Sequence, residues 1–285
     1  MTKLKEVGKL FICPTPIGNL EDITLRTLNT LKEVDLIAAE DTRHTIKLLN
    51  HYDIKKPLTS YHEHNKIEKG RFLIGKIIDG ESIALVSDAG MPAILDPGED
   101  LVKLAIENNI DVVALPGPTA FVLALILSGF STRRFVYEGF LSHNKKERKE
   151  ELKKFVSETR TVVFYESPHR LKAVLSDINN VLGNREIAVI RELTKKYEEV
   201  FRGSVESAIR KFDIKDPRGE FVVVIEGRSV EEIERQESEL WKDLSIKDHI
   251  TKYIDEGFSK KDAIKKVAKD RNIQKNEVYK ESINM

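Results

Sequence analysis

The chain has one cysteine in 285 residues, Cys13, so it can form no internal disulfide and no multi-cysteine metal centre. It has no surplus of either charge, because Lys+Arg and Asp+Glu both number 47. That balance removes any chain-wide nucleic-acid signature while leaving room for local basic patches. No apolar run is long enough to span a bilayer, and no charged-then-apolar leader pattern stands near Met1. A cytoplasmic location is the expectation. Two glycine signatures are missing as well. Lys9-Leu-Phe-Ile-Cys13 reads as a first strand, but the turn after it, Pro14-Thr-Pro-Ile-Gly-Asn19, carries prolines where a G-x-G-x-x-G turn needs glycines. A P-loop is absent too, so the common dinucleotide and NTP fingerprints are both excluded. What is present, 40% hydrophobic and 33% charged residues, fits a folded globular chain, and the length suggests about two domains.

The stretch from Ser82 to Ala120 organises the rest. An apolar run, Ser82-Ile-Ala-Leu-Val-Ser87, passes into the small-residue loop Asp88-Ala-Gly-Met-Pro-Ala-Ile-Leu-Asp-Pro-Gly98. A helical segment follows, then Asp111-Val-Val-Ala-Leu115 and the turn Pro116-Gly-Pro-Thr-Ala120. Two apolar runs around a helix read as a βαβ unit of a parallel sheet. Open α/β sheets bind ligands at the carboxyl ends of their strands, where both loops lie. Leu36-Ile-Ala-Ala39 is another buried strand, followed by Glu40-Asp-Thr-Arg-His44, in which Asp41 or Thr42 can cap a helix. Upstream, Asp22 or Thr24 can cap a helix with Leu25, Leu28 and Leu31 as its stripe. His62 and His64 stand two residues apart, a poor spacing for joint metal binding, and no metal is expected.

The pattern restarts after an apolar helix from Ala120 to Leu127. Strands are expected at Phe135–Phe140, Thr161–Tyr165, Glu186–Ile190, Glu199–Arg202 and Glu220–Glu226, the last of them central. Tyr165-Glu-Ser-Pro-His-Arg170 and Arg191-Glu-Leu-Thr-Lys-Lys196 crowd charges at strand ends. They read either as a polar cleft for an anionic substrate or as surface ion pairs. Arg228 to Lys242 reads as a linker helix. Three short amphipathic helices then follow, with Ser259 and Asp262 as a capping-box-like start and Asn276 as a cap. They are similar to a helix-turn-helix module, and acidic residues dilute their lysines. The fold class is α/β, with domains at 1–117 and 118–228 and a helical module at 229–285.

Taken together, Cys13-Pro-Thr-Pro-Ile-Gly-Asn-Leu20, Glu40-Asp-Thr-Arg-His44, Ser87-Asp-Ala-Gly-Met-Pro92, Leu115-Pro-Gly-Pro-Thr-Ala120, Tyr165-Glu-Ser-Pro-His-Arg170 and Arg191-Glu-Leu-Thr-Lys195 resemble the tetrapyrrole methylase superfamily. The Glu-Asp-Thr-Arg and Tyr-Glu-Ser-Pro-His-Arg motifs resemble its ribosomal RNA branch. The resemblance implies two α/β domains with S-adenosylmethionine in the cleft between them. It implies 2′-O-methylation of a decoding-centre cytidine in 16S rRNA or the small ribosomal subunit, and a homodimer. By the same resemblance, Pro14, Thr15, Asp88, Met91, Thr119, Ala120, Phe164, Tyr165, Gly219 and Phe221 contact the cofactor. Ser87-Asp88 stands where many relatives have a double glycine before the acid.

A ribose hydroxyl needs its proton taken or held before it attacks carbon. Glu166, His169, Glu40 and Asp41 are the candidates for that role. Arg43, Arg170, Arg191 and Lys195 suit phosphates of the RNA. Two other readings are a methyltransferase acting on a tetrapyrrole and a non-catalytic RNA-binding module.

Overall fold

The computed structural model describes residues 6–214, 216–233, 235, 241 and 243–283. The first sheet contains β1 (Leu10–Ile12), β2 (Leu36–Ala39), β3 (Leu58–Ser60), β4 (Ile83–Val86) and β5 (Val112–Ala114). Its spatial order is β3-β2-β4-β1-β5 and every neighbouring pair is parallel. A parallel sheet needs cover on both faces, and the period-2 alternation supplies apolar side chains to both. Leu36 and Ala38 of β2 join one core with Leu10, Leu73, Ile83 and Leu101, while Ile37 and Ala39 join the opposite core with Leu31, Leu49 and Ala84. The covering helices are α1 (Leu25–Glu33), α2 (Thr42–His51), α3 (Lys66–Ile78) and α4 (Gly98–Glu107). Thr24 caps α1 by accepting the Thr27 N–H, and Asp41 caps α2 by accepting the Arg43 N–H. Leu25 departs from the expected stripe: it lies in the first turn of α1 and is exposed, whereas Leu31 is buried. Cys13 is fully buried and burial pushes its thiol up to about 12, which makes it a core residue rather than a nucleophile.

The chain leaves the first sheet at Ala114. After Pro116–Thr119, α5 (Ala120–Ser128) packs on a second sheet. That sheet holds β6 (Phe135–Phe140), β7 (Thr161–Glu166), β8 (Glu186–Arg191), β9 (Glu199–Ser204) and β10 (Phe221–Ile225) in the order β6-β7-β10-β8-β9. Only β6 and β7 are parallel; the other pairs are antiparallel. β10 is central and buried along its whole length, as its uninterrupted apolar run requires. α5 covers one face, with Ala124 and Leu125 against Val163, Ala188 and Val222. α6 (Lys145–Lys153), α7 (Leu171–Leu182) and α8 (Val205–Ile214) cover the other. There Arg148 and Asp177 form a buried ion pair with Nη2–Oδ2 at 2.6 Å.

Three further helices, α9 (Ile246–Asp255), α10 (Lys260–Asp270) and α11 (Lys275–Ser282), surround their own small core of Ile250, Tyr253, Ile264, Val267 and Val278. Ser259 caps α10 by accepting the Asp262 N–H, as its spacing predicts. α11 differs: it begins one residue before Asn276, with Gln274 at the cap position and no side-chain bond there. Of the expected linker helix over 228–242, residues 230–233, 235 and 241 are helical, and 234, 236–240 and 242 lie outside the described residues. Among the described residues no helix is long and apolar enough to cross a membrane, and no group of His, Cys, Asp or Glu side chains is placed to hold a metal ion.

Candidate active site between the two sheets

The loops that leave β1 and β4 are pinned to each other. Thr15 and Gly90 exchange two backbone hydrogen bonds (2.9 and 3.0 Å), and the buried Thr15 hydroxyl donates to the Ser87 carbonyl at 3.1 Å. The β5 loop closes on them. A Cβ on Gly117 would lie 2.2 Å from Pro14 Cγ, so only glycine lets the two loops meet. The β4 loop then takes an unusual course, with Ala93 and Leu95 at φ of 67° and 64°. A left-handed backbone disfavours side chains with a Cβ. Asp96 Oδ1 offsets that by accepting the N–H groups of Ala93 (2.9 Å) and Gly98 (2.7 Å). The turn carries Leu95 across to β6, where its side chain fills the space a Cβ on Gly139 would need.

Acidic groups converge on this wall. Asp88 Oδ1 accepts the Asp41 N–H at 3.1 Å. Burial raises the pKa of Glu40, and the charges of Asp88 and Asp96 raise it further. Burial also raises Asp96.

The opposite wall comes from the second sheet. Tyr165 and the turn Glu166-Ser167-Pro168 end β7; Phe140 ends β6; Ile190 and Leu193 bracket the end of β8; Glu220, Phe221 and Val222 begin β10. The Glu166 side chain is 0% exposed. Its Oε1 accepts the Ser167 N–H at 2.8 Å, while Oε2 has no hydrogen-bond partner among the described residues. Burial raises its pKa, opposed by that N–H and by Arg170, whose Nε is 3.4 Å away. A second crossing joins the domains where the Asn19 N–H donates to Thr194 Oγ1 at 3.1 Å. The two walls enclose a cavity of about 540 Å³.

Glu40, Glu166, Asp88, Ala120, Tyr165 and Phe221, all expected from the sequence, line that cavity. Others support it from behind. Thr15 is a loop pin, the Thr119 hydroxyl donates to the Gly117 carbonyl at 3.3 Å, Pro14 packs on Gly117, and Met91 packs against the first core. Gly219 (φ 89°) sits against the Glu192 carboxylate rather than the cavity. Phe164 is a correction. Adjacent residues of a strand face opposite ways, so Phe164 is buried under α6–α8 while Tyr165 turns to the cavity.

Among the candidate bases, Asp41 is committed to capping and to Arg43 (Nη2–Oδ2 2.7 Å), which lowers its pKa to about 2. His169 is exposed, and neither it nor Asp41 lines the cavity. Arg170 is a second correction. Its Nη2 donates to the carbonyls of Leu141 (2.7 Å) and Ser142 (3.0 Å), so it ties β6 to β7 instead of facing a phosphate. Lys195 bridges Glu192 (3.0 Å) and Glu220 (2.7 Å), and Arg191 Nε donates to the Arg218 carbonyl. Arg43 is the most exposed of the four, at 89% of its side chain. Ile17, Ile94, Leu95, Asp96, Phe140 and Leu193 also line the cavity and were not singled out from the sequence. Phe140 and Leu193 share one signal, a position at or just past the end of a strand.

A cavity of this size holds small-molecule cofactors. Its carboxylates suit a cationic ligand, and its closely approached backbone suits a flat heterocycle. A family model described as tetrapyrrole (corrin/porphyrin) methylases matches residues 9–209. The chain is 50% identical to the ribosomal RNA small subunit methyltransferase I of Bacillus subtilis (strain 168), over 96% of this chain and 94% of that one. It is 49% identical to the protein of the same name from Thermotoga maritima, over 78% of this chain and all of that one. Among solved structures, a uroporphyrin-III C-methyl transferase from Thermus thermophilus complexed with S-adenyl homocysteine superposes with a TM-score of 0.54 at 16% identity, covering 76% of this chain and 97% of that one. At that identity the likeness concerns the fold.

Proposed function

The chain belongs to the tetrapyrrole (corrin/porphyrin) methylases and, within them, to the ribosomal RNA small subunit methyltransferase I family, and from that premise we propose that it methylates the ribose 2′-hydroxyl of a decoding-centre cytidine in 16S rRNA. It is a methyltransferase that uses S-adenosylmethionine and acts on ribosomal RNA. Bound in the interdomain cavity, S-adenosylmethionine supplies an electrophilic methyl group on a positively charged sulfur. Asp88, Asp96 and Glu40 complement that cation, and the Ser87–Gly90 backbone with Ala120 and Tyr165 holds the rest of the molecule. The remaining task is alignment of acceptor and donor, and orientation of this kind accounts for a large part of such a barrier.

One observation carries the assignment of chemistry. Glu166 lines the cavity at the end of β7, and its Oε2 is buried with no hydrogen-bond partner among the described residues. Glu166 accepts the proton of the 2′-hydroxyl; its raised pKa makes it a better base than an ordinary glutamate. Arg43 is the phosphate contact on the first domain. The acceptor is 16S rRNA or the small ribosomal subunit, in the cytoplasm. A second copy of the chain covers the face of α5 turned away from the second sheet, where Val122 and Ile126 are exposed.

The test is transfer of labelled methyl from S-adenosylmethionine to small subunits lacking the modification, followed by digestion to nucleosides. The expected product is 2′-O-methylcytidine. Glu166→Gln should lower kcat roughly 10²- to 10⁴-fold with cofactor affinity retained. Label in another nucleoside refutes the target, full activity of Glu166→Gln refutes the base, and no label in RNA with cofactor bound moves the acceptor to a small molecule.

A further inference from the structure

Next to the cofactor cavity lies a second hollow of about 360 Å³. Phe221 lines both, so the two hollows are neighbours at the start of β10. Phe212 and Phe221 meet edge to face beneath the hollow. Its rim carries an exposed aromatic, Tyr197, at 66% exposure. It also carries three cations, Arg191, Lys211 and Arg218.

The charges are arranged unevenly. Glu199 is engaged by Lys211 and by Arg191 Nη1 at 3.7 Å. Asp216 is engaged by Lys172 at 2.9 Å, from outside the hollow. Arg191 Nε donates to the Arg218 carbonyl at 2.6 Å, which fixes the Arg218 backbone at the rim. The Arg218 guanidinium itself makes no hydrogen bond or salt bridge among the described residues, and its side chain is exposed. The result is an apolar floor, an exposed ring with Lys196 Nζ 5.7 Å from its centroid, and an exposed guanidinium whose charge acts on Asp216 without a hydrogen bond. A guanidinium fork matches phosphate geometry, and an exposed ring offers a face on which any base can stack.

Resting on the function proposed above, we infer that this hollow holds the nucleotide adjoining the methylated one in the RNA acceptor. Tyr197 stacks on its base and Arg218 contacts its phosphate. Because the two hollows adjoin at Phe221, consecutive nucleotides occupy them in turn, and the target ribose is registered against Glu166. Tyr197 and Arg218 are binding residues, remote from the reacting atoms, so they act on acceptor affinity alone.

The full chain carrying Tyr197→Ala, Tyr197→Phe or Arg218→Ala is compared with the unaltered chain on small subunits lacking the modification. Tyr197→Ala should raise the KM for subunits roughly 10- to 100-fold, the range expected for one lost stacking contact. It should leave kcat and S-adenosylmethionine affinity unchanged, and Tyr197→Phe should restore the KM. Arg218→Ala should weaken subunit binding and lower the slope of log affinity against log salt by about one. Unchanged subunit KM in both alanine variants overturns the inference while leaving the methyltransferase reading intact. Failure of the unaltered chain to label RNA at all removes the reading on which the inference rests.

Discussion

Replacing Asp177 by alanine removes one partner of the buried pair with Arg148. The two side chains are 4% and 7% exposed, and Arg148 meets Oδ2 through both Nε (3.0 Å) and Nη2 (2.6 Å). Its Nη1 donates to the Ser142 and His143 carbonyls at 3.2 and 3.3 Å. Without Asp177 the guanidinium would be buried with no carboxylate in contact, and breaking such pairs costs about 3–5 kcal/mol. Amide exchange in α6 and α7 should then accelerate on the order of 10²- to 10³-fold where exchange follows opening of the second domain. Exchange of the first sheet should not change, because its cores share no residue with this cluster. A double variant, Arg148→Met with Asp177→Leu, should recover most of the protection, since apolar replacement of a whole buried pair is often neutral or better. Methyl transfer should fall as well. The loop that Arg148 holds supplies the Leu141 and Ser142 carbonyls that anchor Arg170, and Arg170 stands beside Glu166. Unchanged exchange in Asp177→Ala, or a double variant no better than the single, would refute the reasoning.

Two further outcomes follow from other parts of the molecule. His249 is fully buried, its Nδ1 accepts from Arg271 Nε at 3.2 Å, and burial followed by the Arg271 charge lowers its pKa to about 4. The folded state therefore binds its proton less readily than the unfolded state, so the stabilisation present above pH 6.5 should be lost as pH falls towards 4, by about 3 kcal/mol. Trp241, the sole tryptophan, stacks on His249 at 3.9 Å and reports the transition by fluorescence; a signal flat from pH 7 to pH 4 would contradict this. Ile126 is 62% exposed on α5, and Ile126→Glu should convert a dimer to a monomer in sedimentation without unfolding it. A dimer that survives the substitution would place the contact elsewhere.

The strands and their special turns were legible because parallel-sheet strands are short apolar runs and their loops carry proline and glycine at fixed places. Glu40 and Glu166 were legible for the same reason, as acids at strand ends, whereas Asp88 was reached through the resemblance to the methylase family. Arg170 was not, because nothing local tells whether a guanidinium meets solvent or the carbonyls of a loop 28 to 29 residues earlier. Phe164 and Tyr165 were indistinguishable for a related reason: both are aromatic, and only the placement of α6–α8 decides which face is covered. Leu95 and Asp96 reach the cavity through a left-handed backbone at Ala93 and Leu95 that no residue propensity favours.

The order of the first sheet bears on how the chain is made. Leu10 aligns with Ile83 on one side and with Val112 on the other. β1 therefore emerges from the ribosome early and cannot complete its ladder until nearly the whole first domain has been translated. Its Leu-Phe-Ile edge waits unpaired through that interval, and non-local parallel pairing is intrinsically slow and exposed to aggregation. The loop that begins at Pro14 grows directly out of this strand, so the cofactor pocket can take shape only after the slowest closure in the domain, and conditions that hinder nascent-chain folding will deplete active enzyme before they deplete total protein.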